Sequence, residues 1–305
     1  MTGMVIFKDG EAVYEKYYNG FTDANRIHIF SATKSIISIL FGIALDRGLL
    51  ESVDQKVLDF YPDYTIKRGE KTLPNIRIKD ILTMTVPYKY KFNPYVKYFT
   101  SADWVKFSLD VMGGRGTIGE FRYAPIVGPD VLSGILVKAT GRSILDFARE
   151  NLFTPLGITV ADTITFESKE EQMEYYKATD LSGWVAGPTG VHTAGWGLNL
   201  APMDMAKIGQ LYLNGGVWNG QQIVSESWVK ESTTEHSRWK KLNLPYGYLW
   251  WIGEDGDGFA AMGDGGNIIY VSRDQKMVVA ITSLFNPRAK DRIDFIKEYV
   301  EPVFK

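Results

Sequence analysis

The chain contains no cysteine, so disulfides, thiolate nucleophiles and cysteine-held metals are excluded from its 305 residues. Histidine is nearly as scarce. His28, His192 and His236 are widely spaced, which argues against a histidine-rich metal site, and no G-x-S-x-G segment is present to seat a Ser-His-Asp triad. No metal or cofactor is therefore expected. Long apolar runs are also missing: no stretch approaches the roughly 18 residues of a bilayer span, and "MTGMVIFKDGEAVYEKYY" lacks the basic-then-apolar layout of a leader. A cytoplasmic protein with no membrane partner is the expectation. Nor does one sign of charge dominate. The 34 basic and 36 acidic residues leave a formal charge of -2, without the basic footprint of a nucleic-acid binder, and Lys89, Lys91 and Lys97 among aromatics do not supply one.

What is present is ample core material, 45% hydrophobic against 23% charged residues, enough for one large domain or two joined lobes. "MVIF", Asp9-Gly10 and "AVYEKYY" read as a hairpin, and "NIIYV" and "MVVAITSLF" around "SRDQK" as another, with "YGYLWWI" as a further strand. A last helix is expected with Asn286 as its cap and Pro287 in its first turn, turning Ile293, Ile296 and Val300 to one face. Between these ends, "SADWVKFSLDVM", "VGPDVLSGILVKATG", "SILDFARENLF" and "PMDMAKIGQLYLNGG" carry helical patterns. The order predicts an α/β lobe built from residues 1–55 and 241–305, with a mostly helical lobe, 56–240, inserted between them.

One short stretch carries chemistry. In "HIFSATKSIISILFGIAL" a nearly continuous apolar helix begins just after Ser31 and Lys34, which lie three apart and share a face. A serine at a helix N-terminus sits among free N–H groups, and a lysine whose pKa is lowered by burial can take its proton. The plainer reading is a capping serine and a lysine reaching to solvent.

"FSATKSI", "FRYAPIVGPDVLSGILVKATGRSILDFARENLFTPLGI", "GVHTAGWGLNLAPMDMAKIGQLYLNGG", "YGYLWW" and "FAAMGDGGNIIYVSRDQKMVVAI" occur in an order that resembles the serine beta-lactamase-like, penicillin-recognising family, notably its class C and esterase or amidase branches. The resemblance spans nearly the whole chain. It implies a beta-lactamase/transpeptidase-like fold, an antiparallel sheet flanked by helices plus the helical lobe, with the active site between lobes. It also implies Ser31 as nucleophile, Lys34 as its activating partner and Tyr123 as the tyrosine of the second motif. A phenol beside Lys34 can relay a proton or exist partly as phenolate. Relatives usually carry a helix before the first strand, whereas this chain starts in the strand, which predicts a sheet face or edge poorly covered and compensated by a partner subunit, as in a homo-oligomer, or by a shortened fold.

Two motifs depart from the family pattern. Tyr123-Ala124-Pro125 replaces Y-x-N, so no side-chain amide is available to orient the lysine, and Asp264-Gly265-Gly266 falls where relatives carry K-T-G or H-x-G. A carboxylate there disfavours an anionic substrate and attracts an amine. Gly265 and Gly266 would let substrate approach a strand edge, with the Asn267 N–H as second oxyanion donor beside that of Ser31. Tyr88, from the aromatic stretch 86–104, and Trp251 are the candidate cleft walls. His28 and His192 read as structural. The function expected is a serine hydrolase cleaving a small ester, amide or peptide-like substrate through an acyl-enzyme. The alternatives are a beta-lactamase or D-amino-acid peptidase, and a noncatalytic ligand-binding protein.

Overall fold

The computed structural model describes residues 1–254 and 256–304. Its main sheet is antiparallel and has eight strands: β1 (Gly3–Lys8), β2 (Glu11–Tyr17), β3 (Ser237–Trp239), β4 (Leu244–Tyr246), β5 (Trp251–Ile252), β6 (Gly258–Gly263), β7 (Asn267–Ser272) and β8 (Met277–Thr282). The order β2-β1-β8-β7-β6-β5-β4-β3 brings the chain ends together, because β1 pairs with β8 from Gly3 opposite Thr282 to Lys8 opposite Met277. Both expected hairpins form. Asp9 and Gly10 take φ of 51° and 88°, the left-handed pair that a two-residue turn needs to follow the sheet twist.

Alternation sends successive side chains of the central strands into two different cores. Val5, Phe7, Ile269, Val271, Val278 and Ala280 face the main core, against α1 (Thr33–Asp46) and its neighbours. Met4, Ile6, Ile268, Tyr270, Val279 and Ile281 face a second cluster, closed by Ile296 and Val300 of the C-terminal helical segment. The sheet face expected to await a partner is thus covered by this chain's own other end. β2 remains an edge strand, guarded by exposed Glu11, Glu15 and Lys16.

The last helix starts later than expected. Asn286 Oδ1 accepts from Arg288 N at 2.9 Å and closes a turn, while the cap is Asp291, accepting from Ile293 N and Asp294 N ahead of Arg292. Local side-chain competition decided this, since Asn is as good a turn former as a cap. "YGYLWWI" is likewise not one strand. The chain turns between β4 and β5, where Leu249 has φ 61° and a Cβ on Gly247 would fall 2.2 Å from Ser232 O.

The inserted helical lobe includes Trp104–Val111, α2 (Asp130–Thr140) and Ile144–Ala148, each within a segment whose pattern predicted it. α3 (Pro202–Leu213) lies on β1, β7 and β8, so close that a Cβ at Gly209 would meet Val278 Cγ1 at 2.4 Å. α1 is buried from Thr33 to Ala44. Its one glycine makes room for an indole, since a Cβ on Gly42 would lie 2.2 Å from Trp228 Cδ1. No helix among the described residues is long and apolar enough to cross a membrane.

Candidate active site

Ser31 is held by the segment leading into α1. Ile27–His28 pairs with Asn199–Leu200, and Ile29 N donates to Leu198 O at 3.0 Å. Phe30 then takes φ 50°, a left-handed conformation that costs a bulky residue energy and turns the chain sharply. Ser31 therefore sits in a 3₁₀ turn, Phe30–Ala32, immediately before α1 rather than in the helix itself. β6 ends against this turn. A Cβ on Gly263 would fall 2.0 Å from Ile29 O, so only glycine allows that approach.

Lys34 is 1% exposed, and all three of its protons have partners. Its Nζ donates to Ser31 Oγ at 2.9 Å, Pro125 O at 2.7 Å and Gly195 O at 2.7 Å. The side-chain amide missing from the second motif is thus replaced by main-chain carbonyls. Burial brings the Lys34 pKa down to about 7, although the nearby Asp264 and Asp130 carboxylates pull it upward. Near neutral pH a substantial fraction of this amine is unprotonated and able to accept the serine proton.

Tyr123 lies across the same site, with Lys34 Nζ 5.2 Å from its ring centroid. Burial pushes its phenol well above the ordinary range, opposed by interaction with Ser31. The phenol therefore stays protonated near neutral pH. Behind it, Trp251 packs at 5.5 Å between centroids.

Asp130 and Gly195 escaped the sequence reading. Asp130, at the start of α2, is buried; it accepts from Ala194 N at 2.8 Å and from the Tyr98 hydroxyl, fixing the loop whose Gly195 carbonyl holds Lys34. Burial raises its pKa to about 6. A Cβ on Gly195 would lie 3.0 Å from Pro125 O, so glycine lets the two carbonyls converge. Their only sequence signal was membership of the quoted family-like segments, because neither belongs to a chemical motif.

A cavity of about 630 Å³ opens over Ser31, walled by Phe30, Tyr95, Tyr176, Trp196 and Phe285, with Asp264 exposed on its rim. Asp264 lines this cavity with Ser31, while Gly265, Gly266 and Asn267 line an adjoining hollow that shares Asp264 and Phe285 with it and is bounded by Arg292. Asn267 works as a clamp there: its Nδ2 donates to Asp264 O at 2.7 Å and Ser283 O at 3.0 Å, and its Oδ1 accepts from Ser283 N at 2.9 Å.

Neither expected wall residue lines the cavity. Tyr88 is buried against Tyr90, 5.2 Å between centroids, under the Arg122 guanidinium, and Tyr95 of the same stretch takes the wall position. Trp251 supports Tyr123 from behind, while Trp250 packs on Tyr212 at 4.7 Å. His28 and His192 are both buried and hydrogen-bonded, and His28 also borders the cavity. His28 Nε2 accepts from Gly197 N at 2.9 Å with its pKa lowered to about 3 by burial, and buried His192 meets Thr163 Oγ1 at 3.0 Å with its pKa lowered to about 4.

Comparison of the sequence with known proteins gives the family of this chain. The beta-lactamase family profile matches residues 2–300, and the chain belongs to that family. It is similar to the 6-aminohexanoate-dimer hydrolase of Paenarthrobacter ureafaciens, with 24% identity over 247 residues that cover 77% of this chain and 57% of that protein. The chain thus spans little more than half the length of that relative. Its fold is shared by a putative beta-lactamase from Bacteroides dorei DSM 17855 (TM-score 0.75, 18% identity, 99% of this chain and 92% of that one). It is shared also by a putative 6-aminohexanoate-dimer hydrolase from Bacillus anthracis (TM-score 0.72, 19% identity, 97% and 76%). The match is to the beta-lactamase family as a whole and does not single out its class C branch.

Proposed function

We propose that the protein is a serine hydrolase that cleaves a small ester or amide through an acyl-enzyme formed on Ser31. The observation that carries this reading is the buried Lys34 amine, 2.9 Å from Ser31 Oγ with its pKa near 7. Neutral Lys34 takes the Ser31 proton as Oγ attacks the substrate carbonyl. The developing oxyanion is held by the Ser31 N–H and by a main-chain N–H at the end of β6. We assign the latter to Asp264 instead of Asn267, because Asp264 lines the cavity with Ser31 and Gly263 packs on the turn beside it. Tyr123, kept protonated by burial, gives its proton to the leaving group and regains one from Lys34. Water then attacks the acyl carbonyl, with the same pair removing its proton. The site would lie between the lobe of residues 1–55 and 241–305 and the helical lobe of 56–240.

Esters suit this site better than beta-lactams. Pro125 and Asp264 withhold the amide donor and the cation that a beta-lactam carboxylate and amide exploit. The relative named for hydrolysing a 6-aminohexanoate dimer keeps linear amides within the proposed range.

A fluorophosphonate should leave one adduct on Ser31, seen by intact mass and peptide mapping and absent from S31A. Short-chain p-nitrophenyl esters should turn over with much higher kcat/KM than a chromogenic cephalosporin. Folded wild-type protein that takes no label would favour a noncatalytic binding protein. Label persisting on S31A would reject the nucleophile, and faster cephalosporin turnover would overturn the ester preference.

A further inference from the structure

The Ser31 cavity has mostly apolar and aromatic walls and carries one carboxylate, that of exposed Asp264. Its negative charge acts on three neighbouring groups, opposing the fall that burial imposes on the Lys34 pKa and adding to the rise that burial gives Tyr123 and Tyr95. Among the described residues no lysine, arginine or histidine forms an ion pair with it. Lys34 is a poor counter-ion, since its protons are committed to Ser31, Pro125 and Gly195. Lys177 also reaches the cavity, but its ammonium lies 3.9 Å from the Glu174 carboxylate, which offsets its charge.

The wall is a continuous run of rings. Phe285 meets Phe30 at 5.7 Å between centroids, Phe30 stacks on Tyr176 at 6.4 Å, and Tyr176 stacks on Trp196 at 5.9 Å. Aromatic faces attract cations, most strongly where water is displaced, and a carboxylate beside them adds a full opposite charge. A neutral chain meets only the apolar part of this surface and an anionic one is repelled by the carboxylate, whereas an alkylammonium is attracted by both.

We propose that this cavity selects substrates carrying a fixed positive charge, an alkylammonium group seated between the Asp264 carboxylate and the Phe30–Tyr176–Trp196 wall. The proposal deepens the acyl-enzyme reading and rests on it for turnover.

Two p-nitrophenyl esters of equal shape test it: that of 5-(trimethylammonio)pentanoate and that of 6,6-dimethylheptanoate, its uncharged isostere. Their leaving group is common, so the ratio of their kcat/KM values isolates the charge, and any general loss of activity in a variant cancels. Wild-type protein is expected to favour the cation at least about tenfold, and D264N to bring the ratio to within about threefold of unity. A wild-type ratio near one, or one unchanged in D264N, overturns the proposal. A second arm needs no turnover: tryptophan fluorescence titration of S31A with the corresponding two amides. If neither ester is hydrolysed in a Ser31-dependent way the acyl-enzyme reading fails, and this titration still decides. Tighter binding of the cationic amide, lost in the S31A/D264N double variant, supports the ammonium site, and equal binding of both amides overturns it.

Discussion

At the scale of single residues, the protein's character depends on one buried amine. Lys34 must be unprotonated to act as base, so kcat/KM for an ester is expected to rise with pH through an apparent pKa near 7. K34A and Y123F should each lose about 10²- to 10⁴-fold in turnover while remaining folded, as judged by circular dichroism. Asp130 acts on the same profile from behind. Its charge raises the Lys34 pKa, so D130N should move the acidic limb to lower pH, and an unmoved limb would deny the coupling. The amine also costs stability. With a folded pKa below its unfolded value, Lys34 binds fewer protons in the native state between about pH 7 and pH 10.5, so its contribution to stability rises with pH across that window. Relative to wild type, K34M should therefore lose stability with increasing pH, at up to ~1.4 kcal/mol per unit, in urea unfolding at pH 7 and 9. A difference independent of pH would show that Lys34 is not held near neutrality.

At the scale of elements, close approaches made possible by glycine set the geometry. Gly263 lets β6 touch the turn bearing Ser31, and Gly42 lets α1 accept the Trp228 ring, whose Nε1 donates to Ser38 O at 3.0 Å. The two contacts predict different phenotypes. G263A should fold but lose most of its ester kcat/KM, because a Cβ 2.0 Å from Ile29 O must push strand and turn apart. G42A should cost about 1–3 kcal/mol in denaturant unfolding through overpacking, with its ester kcat nearly unchanged. Reversal of these outcomes would mean that the strand-to-turn contact is structural and the helix-to-indole contact catalytic.

At the scale of the whole molecule, the sheet is sealed by its own C-terminus. Truncation after Lys290 removes Ile296 and Val300 and uncovers the apolar face of Met4, Ile6, Ile268, Tyr270, Val279 and Ile281. The truncated protein should bind a hydrophobic dye and aggregate on gel filtration. A monodisperse, dye-negative product would show that the helical segment is dispensable cover.

Much of this was determined by sequence. The hairpins, the inserted helices and the apolar α1 follow from periodicity and turn residues, and Ser31 and Lys34 share a face because they lie three apart near a helix start. Such features are local, so local chemistry fixes them. Tertiary structure alone decided the rest. The cap moved from Asn286 to Asp291, "YGYLWWI" broke at Leu249, and Tyr95 replaced Tyr88 at the cavity, because alternatives close in local energy are separated only by packing. The carbonyls of Pro125 and Gly195 that hold Lys34 are invisible in sequence for a further reason: main-chain acceptors are carried by every residue, and only the folded chain, bringing together positions 91 and 161 residues away, decides which ones meet the lysine.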